Sequence, residues 1–565
     1  MDIREILSQI VADSIAAKFA GRVPPDEAKK ASFIEMPRDR AHGDLATSAM
    51  MKLARALGRP PVAAAKEIVH DLKKACDAQV PGYVDEIEVV PPGFVNFHLG
   101  LAYLVSILRE MALGGYGRSP MGAGVKVNVE FVSANPTGPL TVAHGRQAAV
   151  GDALSNILAY AGYSVTREYY LNDAGRQIRM LGASVFHFYA EAAGSSYPFP
   201  EDGYHGDYIP EIGRELYRRE GNALLALPEE EAVGKAGIFT ADHVMDGIRK
   251  DLEDFRVPFD AWFSQREFES SGAVDKLMQR FREKGVAYDQ DGAVWLKASE
   301  FGDEKDRVLV KSDGTFTYRT PDIAYLENKF ERGFERAILL VGPDHHGHII
   351  TMQAAMRALG HPVESFHGLI VQFCSLWRGK EKLKMSTRAG QFVTLREVFE
   401  EVGIDATRYF FTARKTDSPL EFDLELAKKQ SMDNPVYYVQ YMTARLAGVM
   451  ETAAADPRFA GELKGGLFLP ADCDLSPLGA EEEPLLRQLL QLPVAVEKAA
   501  ENLEPHRLCG YLYDLAGLFH NYYAKCRFVS DDERLSRARL YLASALKVLL
   551  SEILPLIGVK ALEKM

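Results

Sequence analysis

The sequence predicts a multidomain α/β protein: an N-terminal α+β domain over residues 1–112, a parallel α/β domain over residues 113–423, and a C-terminal all-helical domain over residues 424–565. Three observations lead there. The chain has 565 residues, more than one ordinary core holds, so two to four domains are expected. Val125, Val127, Val129 and Phe131 alternate with Lys126, Asn128 and Glu130, the period of a strand; after a Pro/Gly loop, Val150, Ala153, Leu154, Ile157, Leu158 and Ala161 recur at helical spacing and stop at Gly162. From about Leu424 onward the apolar period is helical only, as in Leu542, Leu546, Leu549, Leu550 and Ile553.

In chain order, residues 3–19 have helical spacing, and the GRPP stretch at 58–61 separates two further helices. Residues 84–90 and 93–99 read as strands around Pro91-Pro92. The Gly-rich residues 113–124 read as a linker. A helix around His187 precedes residues 195–213, rich in Pro, Gly and Tyr, which read as an insertion or long loop; insertions are expected over about 195–300, with a hairpin at Asp291-Gly292. The α/β pattern resumes with an apolar strand at 337–341. A helix then places Ile349, Met352, Met356 and Leu359 on one face before Gly360.

Apolar content of 47% and charged content of 26% are those of a globular protein, and no uninterrupted apolar run reaches the ~18 residues of a membrane span. The N-terminus lacks a basic segment ahead of an apolar block, so no secretory signal is expected. Cys76, Cys374, Cys473, Cys509 and Cys526 are scattered without ligand spacing, which argues against structural zinc and a disulfide framework and suits a cytoplasmic location. Asp344, His345, His346 and His348 invite a metal reading, but the adjacent His345 and His346 diverge on either a strand or a helix. No protein-bound zinc is expected, and no residue is assigned to a metal. A net charge of −13 requires any nucleic-acid contact to be local. One region is basic: from Pro505 on, nine Lys and Arg face six Asp and Glu, which reads either as a binding face or as an ordinary solvated helical surface.

Strand, glycine-containing loop and helix together form a phosphate-binding arrangement in parallel α/β folds. His144, at the start of that helix, has the placement to donate to a phosphate, and equally that of a capping residue. Thr320-Pro321-Asp322 is a helix start, where Asp322 either complements the helix dipole or serves a ligand.

Residues 133–146, SANPTGPLTVAHGR, resemble the HIGH-motif region of the arginyl-tRNA synthetases, a class I aminoacyl-tRNA synthetase family; Lys384-Met385-Ser386 resembles the start of its KMSKS motif. The tetrad departs from the pattern: Thr141 stands for the first His and Ala143 for the Gly, while His144 is kept. Thr387 replaces the second Lys of KMSKS, and Gly138 stands where some members offset that loss with a Lys; Lys382 or Arg388 is the remaining substitute. Further likenesses are REYYLNDAGRQI (167–178), DNPVYYVQYMTARL (433–446), FHNYYAKCRF (519–528), the closing LIGVKALEKM, and HGDLATSAMMKLA (42–54) with PPGFVNFHL (91–99).

The resemblance implies a Rossmann-like class I catalytic domain, an N-terminal domain that touches the tRNA elbow, and a helical anticodon-binding domain. It implies ATP, with Mg²⁺ carried by the nucleotide, L-arginine and tRNA(Arg) as partners, no membrane partner, and a monomer. It implies His144, Lys384 and Thr141 as the catalytic set. Pro136, Thr137, Gly138, Thr141, His144, Gly145, Lys384, Met385 and Ser386 would contact ATP, and Glu130, Asn135, Tyr318, Asp322 and His345 would contact arginine. Carboxylates suit a planar guanidinium, which a lysine head cannot mimic. Tyr522 and Tyr523 are candidates to stack unpaired anticodon bases, one of them being expected to pack in the helical core. The resemblance also implies that adenylate formation needs bound tRNA. Two alternatives stay open: a class I synthetase for another amino acid, and a non-catalytic tRNA-binding paralogue.

Overall fold

The fold was analysed as a computed structural model that describes residues 3–37, 42–383 and 393–565. At its centre lies a parallel sheet of five strands: β1 (Lys126–Glu130), β2 (Ser164–Leu171), β3 (Ala261–Ser264), β4 (Arg336–Val341) and β5 (Phe366–Ile370), in the order β5-β4-β1-β2-β3. Helix α1 (Val142–Tyr160) joins β1 to β2. Helices α2 (Gly175–Ala192), α3 (Tyr208–Glu220) and α4 (Glu229–Asp254) lie between β2 and β3, α5 (Arg319–Glu331) precedes β4, and α6 (His346–Leu359) joins β4 to β5. The strand order reverses between β1 and β4, and a crevice opens beyond the carboxyl ends of the strands at such a switch point.

Residues 195–300, expected as an insertion, divide in two. The four residues of β3 supply the outer parallel strand of the central sheet, so the α2–α3–α4 helices form a crossover within the domain. The last six residues of 195–213 are the start of α3, not loop. The three-stranded antiparallel sheet of Ala287–Gln290, Ala293–Leu296 and Arg307–Val310 follows β3, and its first turn is Asp291-Gly292, with φ of 51° and 75°. Both faces of β1 are covered: Asn128 and Glu130, expected on a polar face, are as buried as Val127 and Val129. Helices on both sides of a parallel sheet leave no solvated face.

The N-terminal domain packs the helices Ile3–Lys18, Ala49–Leu57 and Pro61–Gln79 against an antiparallel sheet, whose strands run in the order Ile34–Glu35, Leu45–Thr47, Phe94–Leu99 and Val84–Val90. Residues 113–124 are not a free linker. The Tyr116 ring is buried and its hydroxyl donates to the Leu489 carbonyl (3.2 Å), while the Gly115 N–H donates to the Glu552 carboxylate (2.8 Å). The stretch Glu533–Ile557 has the length and apolarity of a membrane span (mean hydropathy 1.8), but Leu540, Leu542, Leu546, Leu549 and Ile553 are buried against the helices Pro435–Ala455 and Leu101–Leu113. Tyr522 is core, donating to Glu482 (2.8 Å), while Tyr523 is exposed with the Arg445 guanidinium 4.7 Å from its ring centre.

Candidate functional site

A cavity of about 470 Å³ opens beyond the carboxyl ends of β1, β2, β4 and β5. Its wall contains Glu130, Asn135, His144, Tyr318, Asp322 and His345, which the sequence places on three segments, 130–144, 318–322 and 345. Pro136, Thr137, Gly138, Thr141 and Gly145, expected at ATP, do not line it. Lys384, Met385 and Ser386, together with Thr387 and Arg388, lie outside the described residues.

The chain turns sharply after β1. Val132 and Ser133 both have positive φ (68° and 38°), a conformation that costs of order 1–3 kcal/mol per residue and is rare for a β-branched side chain. Hydrogen bonds hold it: the Ser133 hydroxyl donates to Glu130 Oε1 (3.1 Å) and accepts from the Tyr170 N–H (3.1 Å). Glu130 does not meet the cavity as a free anion. Lys329 Nζ, from α5, lies 2.7 Å from Glu130 Oε2, donates to Asn128 (2.7 Å) and approaches Glu168 (3.3 Å). Burial alone would raise the Glu168 carboxyl, but Lys329, the paired N–H groups of Arg332 (2.6 and 2.9 Å) and the Tyr325 hydroxyl hold it down to about 2. Two acids and two bases thus balance beneath the cavity floor.

Among the described residues, Asp322 and Asp344 are lining carboxylates that pair only with histidines: Asp322 with His348 Nε2 (3.2 Å), and Asp344 with His345 (3.5 Å). Tyr318 is exposed and stacks on His348 with 5.9 Å between ring centres, and Arg319 lies 4.6 Å from the Tyr318 ring centre. Asn135 donates to Gln177 (2.6 Å), which ties the loop to α2. Tyr170, on β2, also lines the cavity. Burial first, and the nearby Asp322 and Glu130 carboxylates second, push its phenol well above its ordinary range, so it stays a neutral donor.

His144 takes the capping role anticipated for it. Thr141 is the residue before α1, and its N–H donates to His144 Nδ1 (3.2 Å), the reciprocal bond of a capping box with His in place of Glu. Burial pushes the imidazole down to about 4, so at neutral pH it is uncharged, and with Nδ1 accepting, its single proton sits on Nε2. Thr141 therefore faces His144 and positions it. Thr141 also forms a bridge with Thr394, and the Leu395 N–H donates to the Leu140 carbonyl (2.8 Å). The chain that follows the KMS segment is thus fastened to the start of α1. Gly145 is a packing glycine: a Cβ there would stand 2.5 Å from Leu395 Cδ1 and 3.1 Å from Phe411 Cε2. The Tyr208 hydroxyl donates to the Thr137 carbonyl, and a Cβ on Gly138 would lie 3.2 Å from that hydroxyl. Lys382 is exposed on the short strand Glu381–Lys382, paired with Trp377. Arg146, fully buried, donates to the carbonyls of Gln372 (2.7 Å) and Lys415 (3.0 Å), fixing the segment after β5 whose Val371, Gln372 and Phe373 complete the wall.

Lys329, Tyr170 and His348 were not identified from the sequence as site residues. His348 carried a signal, as one of the histidines beside Asp344, but only a metal was weighed there. Tyr170 lies in the REYYLNDAGRQI segment singled out above, though without a role of its own, and Lys329 carried no signal because its partners lie on other elements. The basic excess after Pro505 is largely tied up internally: Arg507, Arg534, Arg537, Arg539 and Lys547 pair with Glu504, Asp474, Glu462, Glu482 and Glu563. Much of it is therefore a structural ion-pair surface, which leaves less charge free for phosphates.

Comparison with known proteins agrees with this architecture. Residues 114–423 match the family described as tRNA synthetases class I (R), catalytic domain. Residues 2–99 match the arginyl tRNA synthetase N terminal domain, and residues 439–565 the DALR anticodon binding domain. The chain is 43% identical over 567 residues to arginine–tRNA ligase 1 of Halalkalibacterium halodurans, covering 100% of both chains. It is 42% identical over 570 residues to the arginine–tRNA ligase of Bacillus subtilis, again covering 100% of both. The structure of Thermus thermophilus arginyl-tRNA synthetase superposes with a TM-score of 0.75 at 23% identity, covering 100% of both chains, which shows a shared fold. With a catalytic-domain match over more than half its length and full-length relatives above 40% identity, the chain belongs to the class I arginyl-tRNA synthetases.

Proposed function

We propose that this protein joins L-arginine to tRNA(Arg) in two steps within the cavity at the β1/β4 switch point. In the first, the arginine carboxylate attacks the α-phosphorus of ATP, forming arginyl-adenylate and releasing pyrophosphate. In the second, a ribose hydroxyl of the tRNA's terminal adenosine attacks the adenylate carbonyl, and AMP leaves. The observation that carries the reading is the convergence of His144 and Asp322 on one cavity.

Asp322, with Tyr318 beside it, takes the guanidinium through a charge-assisted pair; the already neutralised Glu130 contributes lone pairs rather than net charge. Asn135 and His345 take the remaining polar groups of the amino acid. His144 donates Nε2–H to a phosphate oxygen as charge develops there, and Lys384 supplies the cation the tetrad lacks. Removing one such donor typically costs 10²–10³ in rate, about 3–4 kcal/mol. Thr141 holds His144 in place. Pro136, Thr137 and Gly138 shape the loop, Gly145 seats α1 against Leu395, and Met385 and Ser386 present Lys384. Mg²⁺ arrives with ATP. Residues 1–112 meet the tRNA elbow and residues 424–565 the anticodon, where exposed Tyr523 and Arg445 offer a stacking surface. The enzyme acts as a cytoplasmic monomer.

Amino-acid-dependent exchange of pyrophosphate into ATP tests the reading. Exchange driven by arginine, and only with tRNA(Arg) present, supports it. Exchange driven by another amino acid removes the arginine assignment, and absence of exchange with any amino acid removes the enzymatic one.

A further inference from the structure

His348 lies on α6 with an 11% exposed side chain, and its Nε2 is 3.2 Å from Asp322 Oδ2. Three neighbours fix the ring: Asp322 at Nε2, the Tyr318 ring stacked at 5.9 Å and 28°, and the His345 ring edge-on at 6.2 Å. Its Nδ1 is buried and has no hydrogen-bond partner among the described residues. A bare, buried Nδ1 suits the tautomer whose proton is on Nε2, since a second N–H there would lack an acceptor.

From this geometry we infer that His348 is a positioning residue for guanidinium recognition. Its Nε2 faces Asp322 Oδ2 at 3.2 Å, braces the carboxylate from that side, and leaves Oδ1 for the N–H groups of the substrate. This rests on the assignment of Asp322 to arginine made above.

The choice of side chain follows from charge. A lysine or arginine at 348 would also hold Asp322, but it would cancel the charge that attracts the substrate cation and compete with it. A single-proton imidazole gives direction and leaves that charge in place. Lys329, beneath the site, is committed to Glu130, Asn128 and Glu168, so it does not take over this role. The stacked Tyr318 ring makes the device two-sided: the imidazole that orients the carboxylate also supports the aromatic face beside it.

The test uses the full-length enzyme with tRNA(Arg) in pyrophosphate exchange, with KM for arginine and KM for ATP measured separately. His348→Leu removes the donor at similar bulk. It is expected to raise arginine KM about tenfold, the lower end of what a hydrogen bond to a charged group contributes. ATP KM and kcat stay within about twofold, and His348→Gln, which retains an N–H donor, recovers most of the loss. His348→Met is a second donor-free variant should the Leu form fold poorly. Unchanged arginine KM in a folded donor-free variant overturns the inference. So does an equal rise in both KM values, the mark of general distortion, or a Gln variant no better than Leu. Asp322→Asn is measured alongside. If it leaves arginine KM unchanged, the assignment of Asp322 itself fails and this inference with it. If it raises arginine KM while His348→Leu does not, only the inference fails.

Discussion

Replacing Lys329 by Met removes the one cation that Glu130 has among the described residues. The Lys329 and Glu130 side chains are 3% and 8% exposed and sit 2.7 Å apart, so water does not replace the lost partner. Breaking a buried pair from one side costs about 3–5 kcal/mol. Glu168 keeps its two bonds to Arg332, so the orphaned charge is Glu130, held only by the Ser133 hydroxyl. The expected loss is therefore at the lower end, about 3 kcal/mol. All three tryptophans, Trp262, Trp295 and Trp377, lie in the parallel-sheet half of the chain, so urea unfolding followed by tryptophan fluorescence reads this domain. Adding Glu130→Gln to Lys329→Met removes the stranded charge and is expected to recover about 2 kcal/mol, a coupling typical of contacting residues. A loss below about 1 kcal/mol, or a double variant no more stable than Lys329→Met alone, would refute the reasoning that charge balance beneath the floor holds the site together.

Other outcomes follow from the same geometry. Glu168 is depressed from 4.5 to about 2 in the folded chain, so its charged form is worth about 3 kcal/mol; that stability is complete above pH 4.5 and is lost as pH falls toward 2, and a Glu168→Gln chain whose acid unfolding keeps the same slope contradicts it. His144, pushed down from 6.5 to about 4, is expected to show ring resonances that titrate near pH 4 with the proton on Nε2; titration near 6.5 rules out the neutral-donor role. Gly145→Ala forces a Cβ to within 2.5 Å of Leu395 and is expected to destabilise by about 1–3 kcal/mol, with Leu395→Ala in the same chain relieving part of the strain; a neutral Gly145→Ala shows that α1 and the Leu395–Val402 helix are not packed as described.

The comparison of sequence with structure is instructive where it diverges. The alternation at 125–131 located β1, and the helical spacing from Val150 to Ala161 located α1, because both signals are local. The four residues of β3 are too few to show a period, and they follow a long helical crossover, so an outer strand of the central sheet reads as part of an insertion. Glu130 reads as a free carboxylate because its partner Lys329 is 199 residues away and on another element. Thr141 and His144 stand at capping-box spacing, but His in place of Glu obscures the signature, so the support Thr141 gives His144 is not legible in the sequence. The close approaches of Leu395 to Gly145 and of Tyr208 to Gly138 are not legible in the sequence, because a glycine's neighbours come from other elements. His348 belongs to Asp322, 26 residues earlier, a pairing that only the fold creates by setting α6 beside α5.

The central claim is that one cavity holds the guanidinium at Asp322 and the reacting phosphate at His144. A crystal structure with a non-hydrolysable arginyl-adenylate analogue tests it most directly. The account predicts guanidinium nitrogens about 3 Å from the Asp322 carboxylate, with a phosphate oxygen about 3 Å from His144 Nε2. An analogue bound in the reverse orientation, or outside this cavity, would contradict it.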